Sequence, residues 1–492
     1  MIKRKLLIIS ILLILFSAGF LSLARLSSGI DNEISISTLN SSSLDYTNAT
    51  VISDSATPWN TGTSNSPKIT IDISGTIHVV WEDTTDGAWG TDYEIMYASN
   101  SGSGWTNATV ISDDGTNWND GGSYDPAITV DSSGTIHVIW EDTTDGAWGT
   151  DYEIMYASNS GSGWTNATVI SDDGTNWNDG NSLESAIAVD SSGTIHVVWY
   201  DGTDGAWGTD YEIMYASNSG SGWTNATVIS DDGTNWNDGN SEYPDIAVDS
   251  SGTIHVIWDD DTDGAWGTDY EIMYASNSGS GWTNATVISD DGTNWNDGTS
   301  EYPDIAVDSS GNIHVVWEDD TVGAWGTDVE IMYAFNNGSG WTKATVISDI
   351  HNGIIWNDGD SNKPTIAVDR SGTIHVVWYD LTDGAWGTDN EIMYASNSGS
   401  EWSLPYVISD DDTNWNDGNS EYPDIAIDNK GKAHVVWHDS TDGAWGTDIE
   451  IMYTSFTAFI PSSGGGISFG YTSIFLMIIG IVSVIVYTKK KL

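Results

Sequence analysis

Aspartate and tryptophan recur together at a fixed spacing along this chain. The heptapeptide DGAWGTD begins at Asp86 and returns at positions 145, 204, 263, 383 and 442, and a variant that begins with Val322 makes a seventh copy. Carboxylate oxygens are ligands that Ca²⁺ prefers, and an indole ring offers a flat apolar surface to a sugar ring. The motif therefore suggests two kinds of chemistry, cation binding and saccharide binding, each repeated around the molecule.

A second tryptophan-bearing link, typified by DDGTNWNDG, alternates with the first. The predicted ligand-binding residues are the tryptophans of the two links: Trp89, Trp148, Trp207, Trp266, Trp325, Trp386 and Trp445, then Trp118, Trp177, Trp236, Trp295 and Trp415. The predicted Ca²⁺ ligands are aspartates of the first link: Asp86, Asp92, Asp145, Asp151, Asp204, Asp210, Asp263 and Asp269. The alternative is a packing role, in which the indoles wedge between neighbouring units and the aspartates form turn hydrogen bonds.

One histidine marks each repeat, and the spacing of these histidines is 59 residues with a single interval of 61. Each period contains four short β-rich runs bounded by turn residues, which in the second copy are AITVD, TIHVIW, YEIMYAS and ATVIS. A period near 60 with four strands is typical of a propeller blade. The sequence predicts an all-β, seven-bladed β-propeller over residues 44–459, in which each histidine is a hydrogen-bonded structural residue.

The ends of the repeat predict how the ring closes. The seventh copy stops after EIMYTSF without its ATVIS run, and an unmatched ATVIS lies at Ala49–Ser53 ahead of the first full set. We therefore expect an N-terminal strand to complete the last blade. Up-and-down strands then place both tryptophan-bearing links on one face of the disc.

The segment ASNSGSGW at Ala98–Trp105 resembles the Asp-box, S-x-D-x-G-x-T-W, of sialidase-like propellers, with Asn100 in the place of the aspartate. The resemblance implies a fold more than an activity, because that superfamily includes hydrolases, lyases, lectin-like modules and scaffolds. Its sialidases bind the substrate carboxylate with three arginines. This chain has only Arg4, Arg25 and Arg370, two of them in the N-terminal apolar segment. We therefore expect no sialidase activity.

Charge and hydropathy predict the setting. The chain has 72 acidic and 13 basic residues, and no cysteine. A surface this acidic excludes nucleic acid as a partner and favours cations. Residues 1–25 resemble a signal peptide or signal anchor, 26–43 a linker, 460–466 a Ser/Gly linker, 467–488 a transmembrane helix and 489–492 a basic cytoplasmic end. The propeller is thus expected on the extracellular side of the cell membrane, where five in-register sequons predict glycans at Asn48, Asn107, Asn166, Asn225 and Asn284.

The function predicted from these features is noncatalytic, multivalent binding in adhesion or glycan recognition, stabilised by Ca²⁺, with a carbohydrate or a surface protein as partner. One alternative is a structural scaffold of the cell envelope, and a second is a glycoside hydrolase-like enzyme. A glycosidase needs two carboxyl groups in unlike environments, whereas near-identical blades predict near-identical environments. Only the link at 349–364 departs clearly from the repeat, with His351 and Lys363 as its singular groups, so a unique site would be expected there if the chain has one.

Overall fold

The computed structural model describes residues 22–24, 36–38 and 49–457, except 54–61, 88, 114–120, 147, 173–179, 206, 232–236, 238, 265, 291–297, 324, 350–356, 358, 383–386, 400, 411–417 and 444. Every regular element of these residues is a strand, and no helix among them is long and apolar enough to cross a bilayer. The predicted transmembrane helix at 467–488 and nearly all of the predicted signal segment lie outside the described residues. Within that N-terminal region, β1 (Ser22–Ala24) pairs antiparallel with β2 (Ile36–Thr38).

Seven antiparallel sheets of four strands form the propeller, as predicted. The inner strands are β4 (Ser64–Ile71), β8 (Ser123–Val130), β12 (Ser182–Val189), β16 (Ser241–Val248), β20 (Ser300–Val307), β24 (Ser361–Val368) and β28 (Ser420–Ile427). The second strands are β5 (Ile77–Asp83), β9 (Ile136–Asp142), β13 (Ile195–Asp201), β17 (Ile254–Asp260), β21 (Ile313–Asp319), β25 (Ile374–Asp380) and β29 (Lys432–Asp439). The inner strands of neighbouring blades contact each other around the axis.

The outer half of each blade consists of a long third strand and a two-residue fourth strand. The third strands are β6 (Glu94–Asn100), β10 (Glu153–Asn159), β14 (Glu212–Asn218), β18 (Glu271–Asn277), β22 (Glu330–Asn336), β26 (Glu391–Asn397) and β30 (Glu450–Thr457). The fourth strands are β7 (Thr109–Val110), β11 (Thr168–Val169), β15 (Thr227–Val228), β19 (Thr286–Val287), β23 (Thr345–Val346), β27 (Tyr406–Val407) and β3 (Thr50–Val51). In the last blade, Thr50 of β3 pairs with Tyr453 of β30.

The hydrophobic core lies between adjacent sheets. The tryptophan near the end of each second strand is fully buried, and the blade-one residues Val80 and Ile95 pack with Trp140 and Met155 of the next blade. The indole Nε1 of Trp140 donates to Oδ2 of Asp142 at 3.1 Å, so the buried ring also satisfies its one polar atom. These tryptophans therefore serve packing, and they repeat because every blade interface needs the same filling.

The histidines are structural, as predicted. In the second blade Nδ1 of His137 lies 2.8 Å from the hydroxyl of Tyr156, on the neighbouring strand of the same sheet. Nε2 of the same ring lies 3.7 Å from Oδ2 of Asp131, in the turn between the first two strands. Burial lowers the pKa of His137, against the opposing effect of Asp131, so the ring is held neutral at pH 7.

The Asp-box resemblance extends to local geometry. Oδ1 of Asn100 accepts the backbone N–H groups of Gly102, at 2.8 Å, and Gly104, at 3.3 Å. Both glycines have positive φ, of 99° and 110°, which residues with a Cβ rarely adopt. The turn delivers Trp105 edge-on to Tyr453 of the preceding blade, with 5.0 Å between ring centroids. Asn100 therefore holds the turn that precedes Trp105.

Candidate functional site

A cavity of about 340 Å³ lies on the propeller axis, and the third to fifth residues of each of the seven inner strands line it. Each inner strand begins at the end of its sheet where the long links lie, because Ser64 of the first inner strand pairs with Asp83 at the end of the second. The pocket lining starts two residues further on, at Ser66. The cavity, here named the axial pocket, therefore belongs to the face on which the sequence placed the tryptophan-bearing links.

A β-bulge in each inner strand shapes the pocket wall. The pairing with the second strand shifts register after the second residue of every inner strand, for example between Asn65 and Lys68. The first bulged residue has φ between 42° and 52°, although none of the seven is glycine. They are Ser66, Asp125, Glu184, Tyr243, Tyr302, Lys363 and Tyr422. Such a conformation costs on the order of 1–3 kcal/mol in a non-glycine residue, and strain of this kind clusters at functional sites.

The seven bulged residues differ in type, although most positions of the repeat are nearly uniform. Several other columns vary as well, and two of them are close to the bulge in the fold. The residues two positions on are Lys68, Ala127, Ala186, Asp245, Asp304, Thr365 and Asp424. The penultimate residues of the second strands are Glu82, Glu141, Tyr200, Asp259, Glu318, Tyr379 and His438.

This variation corrects two expectations from the sequence. The blades do not provide identical environments, because each contributes residues of a different type to one pocket. The 349–364 link is also not the only departure from the repeat. The expectation did identify one pocket residue, Lys363, which lies in the pocket wall, whereas His351 lies outside the described residues. Comparing the tripeptides SPK, DPA, ESA, YPD, YPD, KPT and YPD across the repeats would have revealed the asymmetry.

Acidic residues of the second strands hold the bulges from the neighbouring blade. Oε2 of Glu82 accepts the backbone N–H of Asp125 at 3.1 Å, and Oε2 of Glu318 accepts that of Lys363 at 2.8 Å. Glu141 and Asp259 make the equivalent bonds to Glu184 and Tyr302. Each bond satisfies an N–H group that the bulge removes from sheet pairing, and it fixes the backbone that aims the pocket side chain.

One side of the pocket is an acidic cluster. Carboxylate oxygens of Asp125, Glu141 and Glu184 lie within 4.8 Å of one another, the one group of this kind in the part of the chain that is described. Burial, with a contribution from Asp125, raises the pKa of Glu82 to about 8 and that of Glu184 to about 7. Burial raises the pKa of Glu141 as well. Carboxyl groups here are therefore partly protonated at neutral pH.

The floor of the pocket combines one lysine with three aspartates. Oδ2 of Asp424, Asp245 and Asp304 accepts a backbone N–H from a following blade, at 2.7, 2.9 and 3.0 Å respectively. Burial works to lower the pKa of Lys68, but the nearby Asp424, Asp304 and Asp245 outweigh it and the pKa is raised. Lys68 is therefore a permanent cation that compensates the buried aspartates.

The opposite wall is aromatic. Nζ of Lys363 lies 2.9 Å from the ring centroid of Tyr302, 5.1 Å from that of Tyr243 and 5.6 Å from that of Tyr422. The rings of Tyr243 and Tyr302 contact each other, with 4.4 Å between centroids. Burial lowers the pKa of Lys363 to about 8, although Glu184 and Glu318 oppose that effect. This ammonium group therefore lies among three ring faces, an arrangement that cation–π attraction favours.

The tryptophans of the DGAWGTD links, here named the rim tryptophans, were predicted as ligand residues, and those that the structure describes form hydrogen bonds within the protein. Nε1 of Trp89 donates to the carbonyl of Thr85 at 3.0 Å, and Trp148, Trp207, Trp266, Trp325 and Trp445 make the same bond in their blades. All six are half-buried, and Trp266 and Trp325 pack against hydrophobic clusters between blades. The predicted residues Trp386, Trp118, Trp177, Trp236, Trp295 and Trp415 lie outside the described residues.

The predicted Ca²⁺ ligands divide into two environments. Asp86, Asp145, Asp204 and Asp263 are exposed, whereas Asp92, Asp151, Asp210 and Asp269 are half-buried. Oδ1 of Asp92 accepts the N–H of Thr91 at 3.1 Å, while its Oδ2 is buried without a hydrogen-bond partner. Four of the predicted glycan sites, Asn107, Asn166, Asn225 and Asn284, are exposed, and Asn48 lies outside the described residues.

Sequence reasoning missed the glutamate that begins each third strand. Glu94 is fully buried; its Oε2 accepts from Ser112, and its Oε1 has no hydrogen-bond partner. Burial raises the pKa of Glu94 to about 8, and the nearby Asp92 contributes to the rise. The hydrogen bond from Ser112 acts in the opposite direction but is outweighed. An acid that recurs at the start of the run EIMY was the available signal, since a charged residue rarely lies inside a buried strand.

Together, the fold and the pocket define a seven-bladed β-propeller with one asymmetric site on its axis. This is the fold of sialidase and polysaccharide lyase propellers, in agreement with the Asp-box resemblance. A polysaccharide lyase, an ulvan lyase, superposes with a TM-score of 0.50 at 12% identity, over 80% of this chain and 94% of its own. A protein of unknown function from Dyadobacter fermentans gives 0.47 at 10% identity, over 84% and 98%.

The NanB sialidase of Streptococcus pneumoniae gives a TM-score of 0.41 at 12% identity, over 83% of this chain and 70% of its own. No protein-family model and no curated protein matches the sequence. At these identities the structural likeness concerns the fold, and an activity has to be argued from the residues of this chain.

Proposed function

We propose that the protein is a noncatalytic binding propeller of the cell surface that takes a saccharide into its axial pocket. One observation carries the proposal: the bulged residues and the residues two positions on differ in type between near-identical blades, and all of them line the pocket. If the chain served only to space partners, the same residues would suffice at these positions in every blade. The strained bulges support the same conclusion, because seven unfavourable backbone conformations all serve to line this cavity.

The chemistry of the pocket suits a sugar ring. Tyrosine faces at Tyr243, Tyr302 and Tyr422 offer flat apolar surfaces, and the carboxylates opposite accept hydrogen bonds from hydroxyl groups. A volume of about 340 Å³ falls within the range of roughly 300–1,000 Å³ that small-molecule sites occupy. The chain outside the propeller, with its predicted C-terminal transmembrane helix, would display this site on the extracellular side of the membrane.

A glycan array probed with the full-length chain tests the proposal. We expect binding to a saccharide class, and loss of that binding in Tyr302→Ala, which removes a pocket ring. The matched control is Trp207→Ala, which removes a rim ring from the same face and should retain binding. The opposite pattern would support multivalent binding by the tryptophans of the links, and a blank array from folded protein would support the scaffold alternative.

A glycoside hydrolase-like enzyme is the second candidate, favoured by the unlike carboxyl environments of the pocket. The separation of up to 4.8 Å among Asp125, Glu141 and Glu184 approaches the roughly 5–5.5 Å between the two carboxyl groups of retaining glycosidases. Chromatography of any saccharide that binds, after long incubation with the protein, distinguishes the two candidates. Shortened products that disappear in Glu184→Gln would identify an enzyme.

We also propose that Ca²⁺ stabilises the propeller. The buried, unpartnered Oδ2 atoms of Asp92 and its equivalents are acceptors without a donor, and a hard cation would satisfy them. Removing calcium with EDTA at low salt is therefore expected to lower the melting temperature, and added Ca²⁺ should restore it. Asp269→Asn should reduce the size of this shift, whereas the exposed Asp263→Asn should leave it unchanged. A melt that EDTA does not alter would contradict the proposal.

A further inference from the structure

We propose that the axial pocket recognises an organic ammonium group, so that the saccharide it takes carries free amines. This inference rests on the proposed saccharide binding and adds the charge of the ligand. It is carried by the three tyrosine rings around Nζ of Lys363, at 2.9, 5.1 and 5.6 Å from the ring centroids. We name Tyr243, Tyr302 and Tyr422 the tyrosine cage.

The cage has the composition of a site for ammonium ions. Aromatic faces carry negative electrostatic potential, and several of them around one position attract a cation with little need for a hydrogen-bond geometry. Each cage tyrosine occupies the strained bulge position of its blade, with φ of 46° at Tyr243 and 52° at Tyr302 and Tyr422. Three of seven blades have therefore adopted the same aromatic residue at a costly backbone position, and the three rings converge on one point.

The surrounding charge selects the same class of ligand. Five acids are among the described residues that line the pocket, namely Asp125, Glu184, Asp245, Asp304 and Asp424. The second-strand acid Glu141 lies behind them, against Asp125 and Glu184. The lysines of the lining are Lys68, which faces the three floor aspartates, and Lys363. An anionic sugar would meet net repulsion here, and a neutral sugar would leave the negative charge uncompensated. A cationic ligand would lower the electrostatic cost of the acidic cluster.

Lys363 occupies the cage as a tethered substitute for the ligand. Its backbone is fixed by the bond from its N–H to Oε2 of Glu318, at 2.8 Å, so only the side chain has to rotate for the cage to open. A ligand amine that replaces it would meet the same rings and the same two acids, Glu184 and Glu318, that act on Lys363. Displacement exchanges one ammonium group for another. The apparent affinity for a ligand is therefore the intrinsic affinity multiplied by the fraction of molecules in which Lys363 has left the cage.

Isothermal titration calorimetry with the full-length chain tests the inference. The matched ligands are a β-1,4-linked glucosamine tetramer and its fully N-acetylated form, which differ in charge at each amine. Tetramethylammonium is a third probe, which reports on the cage alone. We expect the glucosamine tetramer to bind at least about tenfold more tightly than the acetylated one, and tetramethylammonium to compete with it.

The outcomes separate the inference from the proposed function. Equal or tighter binding of the acetylated tetramer would overturn the ammonium inference and leave saccharide binding intact. Binding of tetramethylammonium without binding of either tetramer would support the ammonium inference and leave saccharide binding to be decided by the glycan array. Failure of all three ligands to bind to folded protein would overturn the ammonium inference.

Substitutions at Lys363 test its role as a substitute for the ligand. Lys363→Ala empties the cage and is expected to tighten tetramethylammonium binding by about tenfold. Lys363→Met retains most of the side-chain length without the charge and should give a smaller gain. Tyr302→Leu should abolish binding of the same probe in the Lys363→Ala background. Weaker binding by Lys363→Ala, with an unchanged melting temperature, would show that Lys363 assists the ligand and would overturn its assignment as a substitute.

Discussion

Replacing Lys68 with methionine is expected to lower the free energy of unfolding by about 3–5 kcal/mol, the range for removing one partner from a buried set of charges. The ammonium group is the cation that faces Asp245, Asp304 and Asp424 on the pocket floor. Methionine keeps most of the side-chain volume, so the loss reports on charge more than on packing. Chemical denaturation at pH 7 measures the effect.

The pH dependence of the Lys68 contribution follows from the direction of its pKa shift. The folded pKa lies above the unfolded value of 10.5, so the stabilisation is fully present below pH 10.5 and is lost as pH rises through the folded pKa. Lys430→Met, at an exposed turn, is the control and should change stability by no more than about 0.5 kcal/mol. Adding Asp424→Asn to Lys68→Met should recover part of the loss. Equal stability of Lys68→Met and Lys430→Met would contradict the assignment of Lys68 as the cation that compensates the buried aspartates.

The second large effect is an unusual pH dependence of stability in the calcium-free protein, measured in EDTA. Burial raises the pKa of the glutamate that begins each third strand to about 8 or 9 in six blades, at Glu94, Glu153, Glu212, Glu271, Glu330 and Glu391. Between pH 4.5 and these values the folded state binds more protons than the unfolded state. The free energy of unfolding should therefore fall as pH rises through this window and then level off.

A single substitution tests the assignment. Glu271→Gln removes one titrating group, and its carbonyl can accept from Ser289 as Oε2 of Glu271 does. We expect a higher melting temperature than the parent at pH 8 and a much smaller difference at pH 5, where Glu271 is already protonated. Glu401→Gln, at an exposed position, serves as the control. Melting temperatures that rise between pH 5 and pH 8 in the parent protein would contradict the prediction.

The propeller could be predicted from the sequence because every blade solves the same packing problem with the same residues. A repeat of 59 residues with four β-rich runs leaves few architectures, and the recurring Trp140-type residue marks the filling of each interface. Because the tryptophans of the two links recur in every repeat, the sequence analysis predicted the ligand site at those tryptophans. Yet a position that is identical in every blade is explained by packing, as the bond from Trp89 to the carbonyl of Thr85 illustrates.

The axial pocket was missed for two physical reasons. Its residues come from seven distant points of the chain, and no local pattern brings Asp125, Tyr302 and Lys363 together. The bulge that aims them uses positive φ at residues other than glycine, which the usual rules of sequence interpretation do not predict. The recurring proline after six of the seven bulged residues was the one local sign, since proline does not fit the middle of a regular strand.

The uniform bulge also makes this protein a convenient starting point for engineering. Serine, aspartate, glutamate, tyrosine and lysine all adopt φ within 10° of one another at the seven positions. The backbone therefore keeps the same conformation at these positions with side chains of either charge and of very different size. Exchanging tripeptides such as YPD and KPT between blades would redesign the pocket one wall at a time, and the natural chain already provides the seven wall designs from which to choose.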